Sequence, residues 1–478
     1  MQGARPKRFK IVSDFFALSG GQLLSKVIGF AAFAYLARTL SPASYGILEY
    51  AIGMAAFFAL VIEGGLGPIG VRAVSQTPDR VKALSALIPS TKFCIAVGAI
   101  PLMCLVPILT GQDMVTQYLV GLFALSLLVT PWNQEWLLQG LEMMNAAALA
   151  QVVRMLVFAI GVVLFVQSSE DLLNVGWVEV VAVSTLIAYY LFVQRWRIAK
   201  IRLRFRLSEL RQLVRQSFSV GASNIVGSLI HFAPLFLIAS MVGGEATGWF
   251  AASHRVVVSL LTFSWIYHIN LYPTIARRAI ESSDDLSLLV RSSFRVSAWT
   301  GILVGLLLTL LASPLLTLIF GSAFSAAGPT FGILIWVLPV TLLSGHARWS
   351  LIAYGHQRYV LLSQLAGAVA AVAFGSALIP SLHSFGAGIA ALMASLVVWG
   401  VAHTFALKHI ARLPSLSMVW LPLVVAVVCA VVTTTADMNL WLAAGAAGAA
   451  YVITAPLVDR QLLPDLGRLV HAKADLSS

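Results

Sequence analysis

The chain has 478 residues, of which 59% are hydrophobic and 10% are charged, and its mean hydropathy is +0.90. This composition excludes a soluble globular protein. It predicts an all-α polytopic membrane protein, because apolar runs of about twenty residues recur along the chain. The net charge of +12 predicts no nucleic-acid partner, because basic clusters beside apolar runs set membrane topology.

Taken in order, the apolar runs predict about fourteen transmembrane helices, joined by short turns that carry Gly, Pro, Ser or Asp. The first run follows a basic N-terminus, but no small-residue cleavage site comes after it. It is therefore predicted to be a retained helix and not a signal peptide. The predicted spans are residues 14–37, 45–66, 84–107, 115–133, 146–167, 173–194, 216–241, 248–271, 294–319, 328–352, 359–380, 386–407, 418–435 and 440–458.

The distribution of basic residues predicts the orientation of these helices. With the N-terminus in the cytoplasm, most of the 31 Lys and Arg residues fall in cytoplasmic segments, as the positive-inside rule requires. The outer turns carry Arg38 as their one basic residue, and they carry acids such as Asp113 and Glu245. We therefore expect an even number of spans in a bacterial inner membrane, with both termini in the cytoplasm.

A basic stretch from Arg195 to Arg215 contains eight Lys or Arg residues and one acid, Glu209. A mid-bilayer Arg costs at least about 2.5–3.5 kcal/mol, so this stretch is predicted to be a cytoplasmic surface loop near anionic lipid head groups. A weak repeat at an offset of 202, which pairs Phe30 with Phe232, supports two six-helix lobes around a central cavity. The predicted domains are an N-terminal lobe (1–195), the basic connector (196–215), a C-terminal lobe (216–412), and an extra helix pair with a cytoplasmic tail (413–478).

Several turns carry recognisable motifs. Leu40–Gly46 is similar to the pattern L-G-P-x-x-Y-G, with Ser41 in place of the usual Gly, and further matches lie at Gly243–Phe250, Phe320–Phe324 and Gly386–Ala390. In their order and spacing these motifs resemble the oligosaccharide-lipid flippases of bacteria. Those Wzx-type polysaccharide exporters belong to the superfamily that includes the lipid II flippase and the MATE multidrug exporters.

The resemblance implies a two-lobed transporter that works by alternating access and has no enzymatic activity. Its implied cargo is a polyprenyl-diphosphate-linked oligosaccharide, carried from the cytoplasmic to the periplasmic leaflet for cell-surface polysaccharide export. We expect a monomer among membrane lipids, beside a polysaccharide polymerase and glycosyltransferases. The alternative is a cation-coupled multidrug exporter of the MATE kind. A membrane glycosyltransferase is disfavoured, because the predicted outer loops are too short to hold an acceptor.

Ionisable residues within the spans are the candidate functional residues, because charge is costly there. Ser19, Gln22 and Lys26 share one face of the first helix. Lys26 either holds a diphosphate or an acidic sugar, or pairs with a neighbouring helix, for instance through Glu49. Arg255, about two turns into the eighth span, either makes a bidentate phosphate contact or reaches the outer surface.

Three further basic residues, Arg348, Arg154 and Lys92, lie nearer the cytoplasmic ends of their spans. Arg348 either lines the cavity or reaches the lipid head groups. Arg154 and Lys92 either form a cationic entrance for the diphosphate or anchor their helices. His231, which shares a helix face with Asn224, is a further candidate for the cavity lining.

The carboxylates within the spans are candidates for a coupling site. Glu49 and Glu63 are fourteen residues apart and share a face of the second span, and Glu179 lies in the sixth. They either bind Na⁺ or H⁺ or form ion pairs, with Lys26 and Arg154 as the expected partners. The cysteines and histidines lack metal-ligand spacing, so we expect no metal site, no cofactor and no catalytic residue.

Overall fold

The computed structural model describes residues 7–198, 200, 203–281, 283–410, 414, 416–435 and 439–474, and these residues contain helices and no strand. The all-α class is therefore confirmed for the part of the chain described. The chain divides into two compact units, Met1–Ser228 and Leu229–Ser478. Their boundary falls inside a long helix, C-terminal to the predicted connector.

The first unit is built from nine helices, the last of which continues into the second unit. They are α1 (Lys7–Thr39), α2 (Pro42–Glu63), α3 (Leu66–Gln76), α4 (Val81–Leu109), α5 (Met114–Leu127), α6 (Glu135–Gly140), α7 (Met144–Phe165), α8 (Leu172–Arg197) and α9 (Leu207–Met241).

The second unit adds nine helices, and its last three follow the predicted C-terminal lobe. They are α10 (Gly244–Glu281), α11 (Ser283–Leu310), α12 (Ala312–Phe320), α13 (Gly328–Leu334), α14 (Val337–Ala353), α15 (Gln357–His409), α16 (Trp420–Thr435), α17 (Leu440–Val458) and α18 (Leu462–Ala474).

Thirteen helical segments of the described residues are long and apolar enough to cross a membrane. One of them, α15, has 53 residues and would be about 80 Å long if straight, against a bilayer core of about 30 Å. His383 breaks it with φ 50° and ψ −126°, and Gly386 then lies against the backbone of Leu378. Gly367 of the first half packs against Val398 of the second. Since α15 is an antiparallel hairpin of two spans, the predicted total of fourteen is confirmed.

Local sequence determines where α2 begins and ends. Ser41 caps its N-terminus by accepting a hydrogen bond from a backbone N–H at 3.2 Å. Gly64 and Gly65 end it with φ values of 52° and 75°, a region that glycine adopts at low cost. A Cβ on Gly65 would lie 2.6 Å from the backbone nitrogen of Gly221. The turn between α2 and α3 therefore packs directly on the backbone of α9.

The basic connector is partly helical, whereas a loop was predicted along its whole length. Helix α8 continues to Arg197 and α9 begins at Leu207, so both ends of the stretch are helical. The reason is that extending a helix keeps its backbone hydrogen bonds while its basic side chains reach water. Arg204 ties the remaining loop to α4, because its backbone N–H donates to the Ser90 hydroxyl at 2.9 Å.

A buried ionic cluster joins α11 to Asp459, which follows α17, and to Asp465 of α18. Arg295 Nη1 donates to both carboxylate oxygens of Asp459 at 2.6 and 2.8 Å, and its Nε lies 2.9 Å from Asp465 Oδ2. Trp299 Nε1 also donates to Asp459, at 3.0 Å. Burial disfavours the charged form of Asp459, but the hydrogen bonds from Arg295 and Trp299 outweigh it and hold its pKa below the usual value.

The extra helix pair, α16 and α17, packs against the same helix, α11. Trp299 and Ile302 of α11 form one buried cluster with Cys429 of α16 and Tyr451 of α17. The Tyr451 hydroxyl donates to the Trp299 carbonyl at 3.2 Å. This apolar cluster and the ionic cluster together attach the C-terminal segment to the second unit.

Candidate functional site

A polar network lies at the end of the first unit where α2 finishes. Glu63, the last residue of α2, forms an ion pair with Lys92 of α4, and Lys92 is only 1% exposed. Glu135, the first residue of α6, accepts hydrogen bonds from Gln139 and Gln151, both at 3.0 Å. The charges of Glu63 and Lys92 also act on Glu135. Two predicted residues, Glu63 and Lys92, are thus brought together in one network.

This network lines a cavity of about 580 Å³. Asn133 lies at its edge, and its side-chain oxygen accepts from the Glu135 backbone N–H at 3.0 Å. Trp136 forms another wall, and its ring packs across Gly70, where a Cβ would clash with the indole. Glu135 did not appear among the predicted site residues, because it lies just beyond the fourth predicted span. The polar run from Asn133 to Glu135, with Gln139 one turn later, is the signal that could have identified it.

The second ion pair of the first unit joins α7 to α8. Arg154 Nη2 lies 2.5 Å from Glu179 Oε1, and both side chains are largely buried. Glu179 is therefore an ion-pair partner in this structure. Glu63 pairs with Lys92 and Glu179 with Arg154, so the expected pairing of Glu63 with Lys26 or Arg154 does not occur in it.

The polar stripe on α1 is exposed along part of its length. Gln22 and Lys26 are exposed, while Ser25 beside them is buried and donates to the Gly21 carbonyl at 2.8 Å. The side chain of Ser19 lies outside the described residues. Glu49 is buried within α2. Since Lys26 projects from an apolar span, it must reach either a water-filled space or the head-group region.

The predicted basic residues of the second unit lie among histidines. The charge of Arg348 on α14 acts on His231 of α9 and on His268 of α10. Arg255 on α10 is half-buried, and its charge acts on the neighbouring His254. These electrostatic interactions link Arg348, Arg255, His231, His254 and His268, which we call the basic cluster.

Arg348 is the residue of this cluster whose charge is least compensated. Its Nε is buried without a hydrogen-bond partner. In the part of the chain that the structure describes, Arg348 also has no carboxylate within ion-pair distance. Arg348 is half-buried, and an anion that pairs with its guanidinium would lower the cost of an uncompensated charge at this partly enclosed position.

A buried chain of hydrogen-bonded side chains adjoins the basic cluster at His268. The Tyr267 hydroxyl lies 2.5 Å from the Ser293 hydroxyl, which lies 2.8 Å from His346 Nε2. The His346 ring meets the His268 ring edge to face, with centroids 5.1 Å apart. Gly345 leaves room for the His268 ring, which would clash with a Cβ at that position. Tyr267 and Ser293 were not predicted, since no spacing along the chain links three different helices.

The described residues contain no group of three or more His, Cys, Asp or Glu side chains that could hold a metal ion. The polar side chains that the structure brings together are the network of the first unit and the basic cluster of the second. Their chemistry is hydrogen bonding and charge recognition.

Comparison with known proteins identifies related sequences. A family model described as polysaccharide biosynthesis protein matches residues 11–279, more than half of the chain. A protein of Escherichia coli (strain K12) named "Putative O-antigen transporter" is 21% identical over 300 residues, which are 62% of this chain and 72% of that protein.

Comparison with solved structures identifies the fold. The lipid II flippase MurJ in an inward closed conformation is similar with a TM-score of 0.71 at 11% identity, over 93% of this chain and 99% of that one. An inward-facing multidrug resistance transporter of the MATE family is similar with a TM-score of 0.64 at 15% identity, over 83% and 98%. At such low identities these likenesses bear on the fold alone.

Proposed function

Since this chain belongs to the polysaccharide biosynthesis protein family, we propose that it flips a polyprenyl-diphosphate-linked oligosaccharide from the cytoplasmic to the periplasmic leaflet. The chain is a multi-pass membrane transporter of the flippase kind. The name of its Escherichia coli relative, an O-antigen transporter, supports a glycan as the cargo. The finer parts of the proposal are the lipid-linked cargo, the direction of transport and the residues that bind the head group.

The observation that carries the proposal is the uncompensated charge of Arg348. Its buried Nε has no partner, and the groups that its charge reaches are the histidines His231 and His268. A diphosphate supplies several acceptor oxygens with negative charge, and guanidinium binds such groups by two parallel hydrogen bonds. The binding of an anionic head group would therefore lower the cost of a half-buried, uncompensated cation. A cationic drug would raise that cost.

Lys26 and Arg255 are the proposed first contacts of the head group. Lys26 is exposed beside Gln22 on α1, and Arg255 belongs to the basic cluster. Lys92 and Arg154 already have carboxylate partners. Either of them can bind a diphosphate only by leaving its partner, so both rank below Arg348 as head-group contacts.

The proposal extends to the setting of the protein. We place the chain in the bacterial inner membrane with both termini in the cytoplasm, because the basic residues then follow the positive-inside rule. It acts as a monomer beside a polysaccharide polymerase and glycosyltransferases, with Na⁺ or H⁺ as the coupling ion.

Reconstituted protein can test the proposal directly. The probe is a polyprenyl-diphosphate disaccharide with a fluorophore on its sugar, and the readout is protection of the fluorophore from a membrane-impermeant reductant. Wild-type protein should equilibrate the probe across the vesicle membrane. Arg348→Ala should slow this at least tenfold, on the order of the loss of one charge-assisted hydrogen bond, and Arg348→Lys should have an intermediate rate.

The matched control is Arg358→Ala, which removes an exposed arginine that lies over the ring of Tyr359. This variant should flip the probe at the wild-type rate. Equal rates for Arg348→Ala and wild type would refute the role of Arg348. Export of cationic dyes in place of the lipid-linked probe would identify a multidrug exporter.

A further inference from the structure

The first unit contains a cavity that recognition of the diphosphate does not require. It has a volume of about 580 Å³, and its polar wall consists of Glu63, Lys92, Asn133, Glu135 and Gln139. Small-molecule sites have volumes of roughly 300–1,000 Å³. The cavity thus has the size of a ligand site, and its wall is polar where most lipid-facing surface of the chain is apolar.

The charge of this cavity argues against a phosphate. Glu63 and Glu135 contribute two carboxylates, and Lys92 contributes one ammonium group, which pairs with Glu63. The two hydrogen bonds to Glu135 come from the neutral amides of Gln139 and Gln151. One carboxylate is therefore in excess, and it repels an anionic ligand.

The cavity has both hydrogen-bond donors and hydrogen-bond acceptors that are not yet used. Lys92 uses one of its three N–H groups on Glu63. Within the described ranges, the Asn133 amide N–H groups and the Gln139 amide oxygen have no partner, and Trp136 Nε1 is buried without one. An anion requires donors, and a metal cation requires acceptors. A cavity that offers both suits a ligand that donates and accepts at many atoms.

From this combination we infer that the cavity binds a sugar ring that bears hydroxyl or amide groups and no acidic group. Each hydroxyl group both donates and accepts, so such a ring uses the Asn133 and Lys92 donors together with the Gln139 and Glu135 acceptors. The inference rests on the proposed function, which makes a glycan part of the cargo. It adds that the cavity of the first unit binds the sugar part of the cargo.

The surroundings of the cavity agree with this assignment. Ser90, two residues before Lys92 on α4, accepts a hydrogen bond from the backbone of Arg204 in the connector, and Phe93 meets Phe205 at 6.4 Å between ring centroids. The cavity therefore lies at the same end of the first unit as the connector. By the predicted topology this is the cytoplasmic end, where a nascent glycan head group first meets the protein.

The test uses the full chain in lipid nanodiscs and saturation-transfer NMR. The neutral probe is methyl N-acetyl-β-glucosaminide, and the acidic probes are methyl glucuronide and pyrophosphate. Asn133→Ser keeps an oxygen that can cap α6 but removes the amide donors without adding charge, and Asn133→Asp keeps the capping oxygen and adds charge. Both should weaken binding of the neutral probe about tenfold. The matched control is Asn270→Asp, an exposed asparagine of α10, which should leave that binding unchanged.

Three results would overturn the inference. They are the absence of glycoside saturation in wild-type protein, equal glycoside binding by wild type and both Asn133 variants, and tighter binding of pyrophosphate that the Asn133 variants abolish. A requirement for Na⁺ in place of the glycoside would identify a cation site and also overturn it. If wild-type protein binds the glycoside through Asn133 but flips no lipid-linked disaccharide, the proposed function fails and the sugar site stands.

Discussion

Removing Asp459 should loosen the junction between α17 and α18, because Asp459 follows α17 and attaches this junction to α11. In the buried ionic cluster, Asp459→Ala deletes the two bonds from Arg295 Nη1, at 2.6 and 2.8 Å, and the bond from Trp299 at 3.0 Å. Breaking one partner of a buried ion pair costs about 3–5 kcal/mol. Because Arg295 Nε keeps Asp465 at 2.9 Å, we expect the lower end, about 3 kcal/mol. At 1.36 kcal/mol per factor of ten, local opening of the α17–α18 junction should become roughly 100-fold more frequent.

Hydrogen exchange measured by mass spectrometry on protein in nanodiscs reports this opening directly. Amides of residues 459–465 should exchange roughly 100-fold faster in Asp459→Ala, while those of α13 and α14 should keep their wild-type rates. Arg468→Ala is the control, because Arg468 is more than half exposed and lies 3.1 Å from Asp465, and such surface pairs contribute about 0–1 kcal/mol. If both variants exchange alike, the buried cluster does not hold the helix.

Three further predictions concern pH, backbone geometry and the second ion pair. Because the pKa of Asp459 is lowered in the folded state, its contribution is complete above the ordinary Asp pKa of about 3.9 and is lost as the pH falls through the lowered value. The difference in stability between wild type and Asp459→Ala, measured by chemical denaturation, should therefore stay constant down to about pH 4 and shrink below it. Gly65→Ala should lower thermal stability more than Gly355→Ala, since both have positive φ but only Gly65 lies against backbone atoms. A double-mutant cycle on Arg154 and Glu179 in chemical denaturation should give a coupling energy of about 1–3 kcal/mol.

The spans were predictable because hydrophobicity accumulates along a contiguous stretch of chain. The predicted spans 359–380 and 386–407 correspond to the two halves of α15, and their separation at residues 381–385 contains the break at His383. The helical ends of the connector were harder to predict. The charge density of Arg195–Arg215 indicates that this stretch lies outside the bilayer. It does not indicate whether the backbone there is coiled or helical.

The ion pairs between helices were not predictable from the positions of the charged residues along the chain. Glu63 was expected beside Lys26 or Arg154, yet it meets Lys92, because the choice depends on which helices pack together. Arg295 illustrates the same limit over a longer distance. It stands at the start of the predicted span 294–319, and its partners Asp459 and Asp465 lie more than 160 residues away along the chain.

The balance of charge differs between the two units, and this difference supports separate roles in cargo recognition. In the first unit, the in-span cations Lys92 and Arg154 each have a carboxylate partner, and the cavity beside Lys92 holds one carboxylate in excess. In the second unit, Arg348 has no carboxylate within ion-pair distance among the described residues, and its Nε is unpartnered. Within the first unit, the mixture of unused donors and acceptors suits a group that both donates and accepts, such as a hydroxyl. Within the second unit, the unpartnered Arg348 Nε suits an acceptor that carries negative charge, and in each unit the cost of leaving polar groups unpaired favours a ligand of that kind.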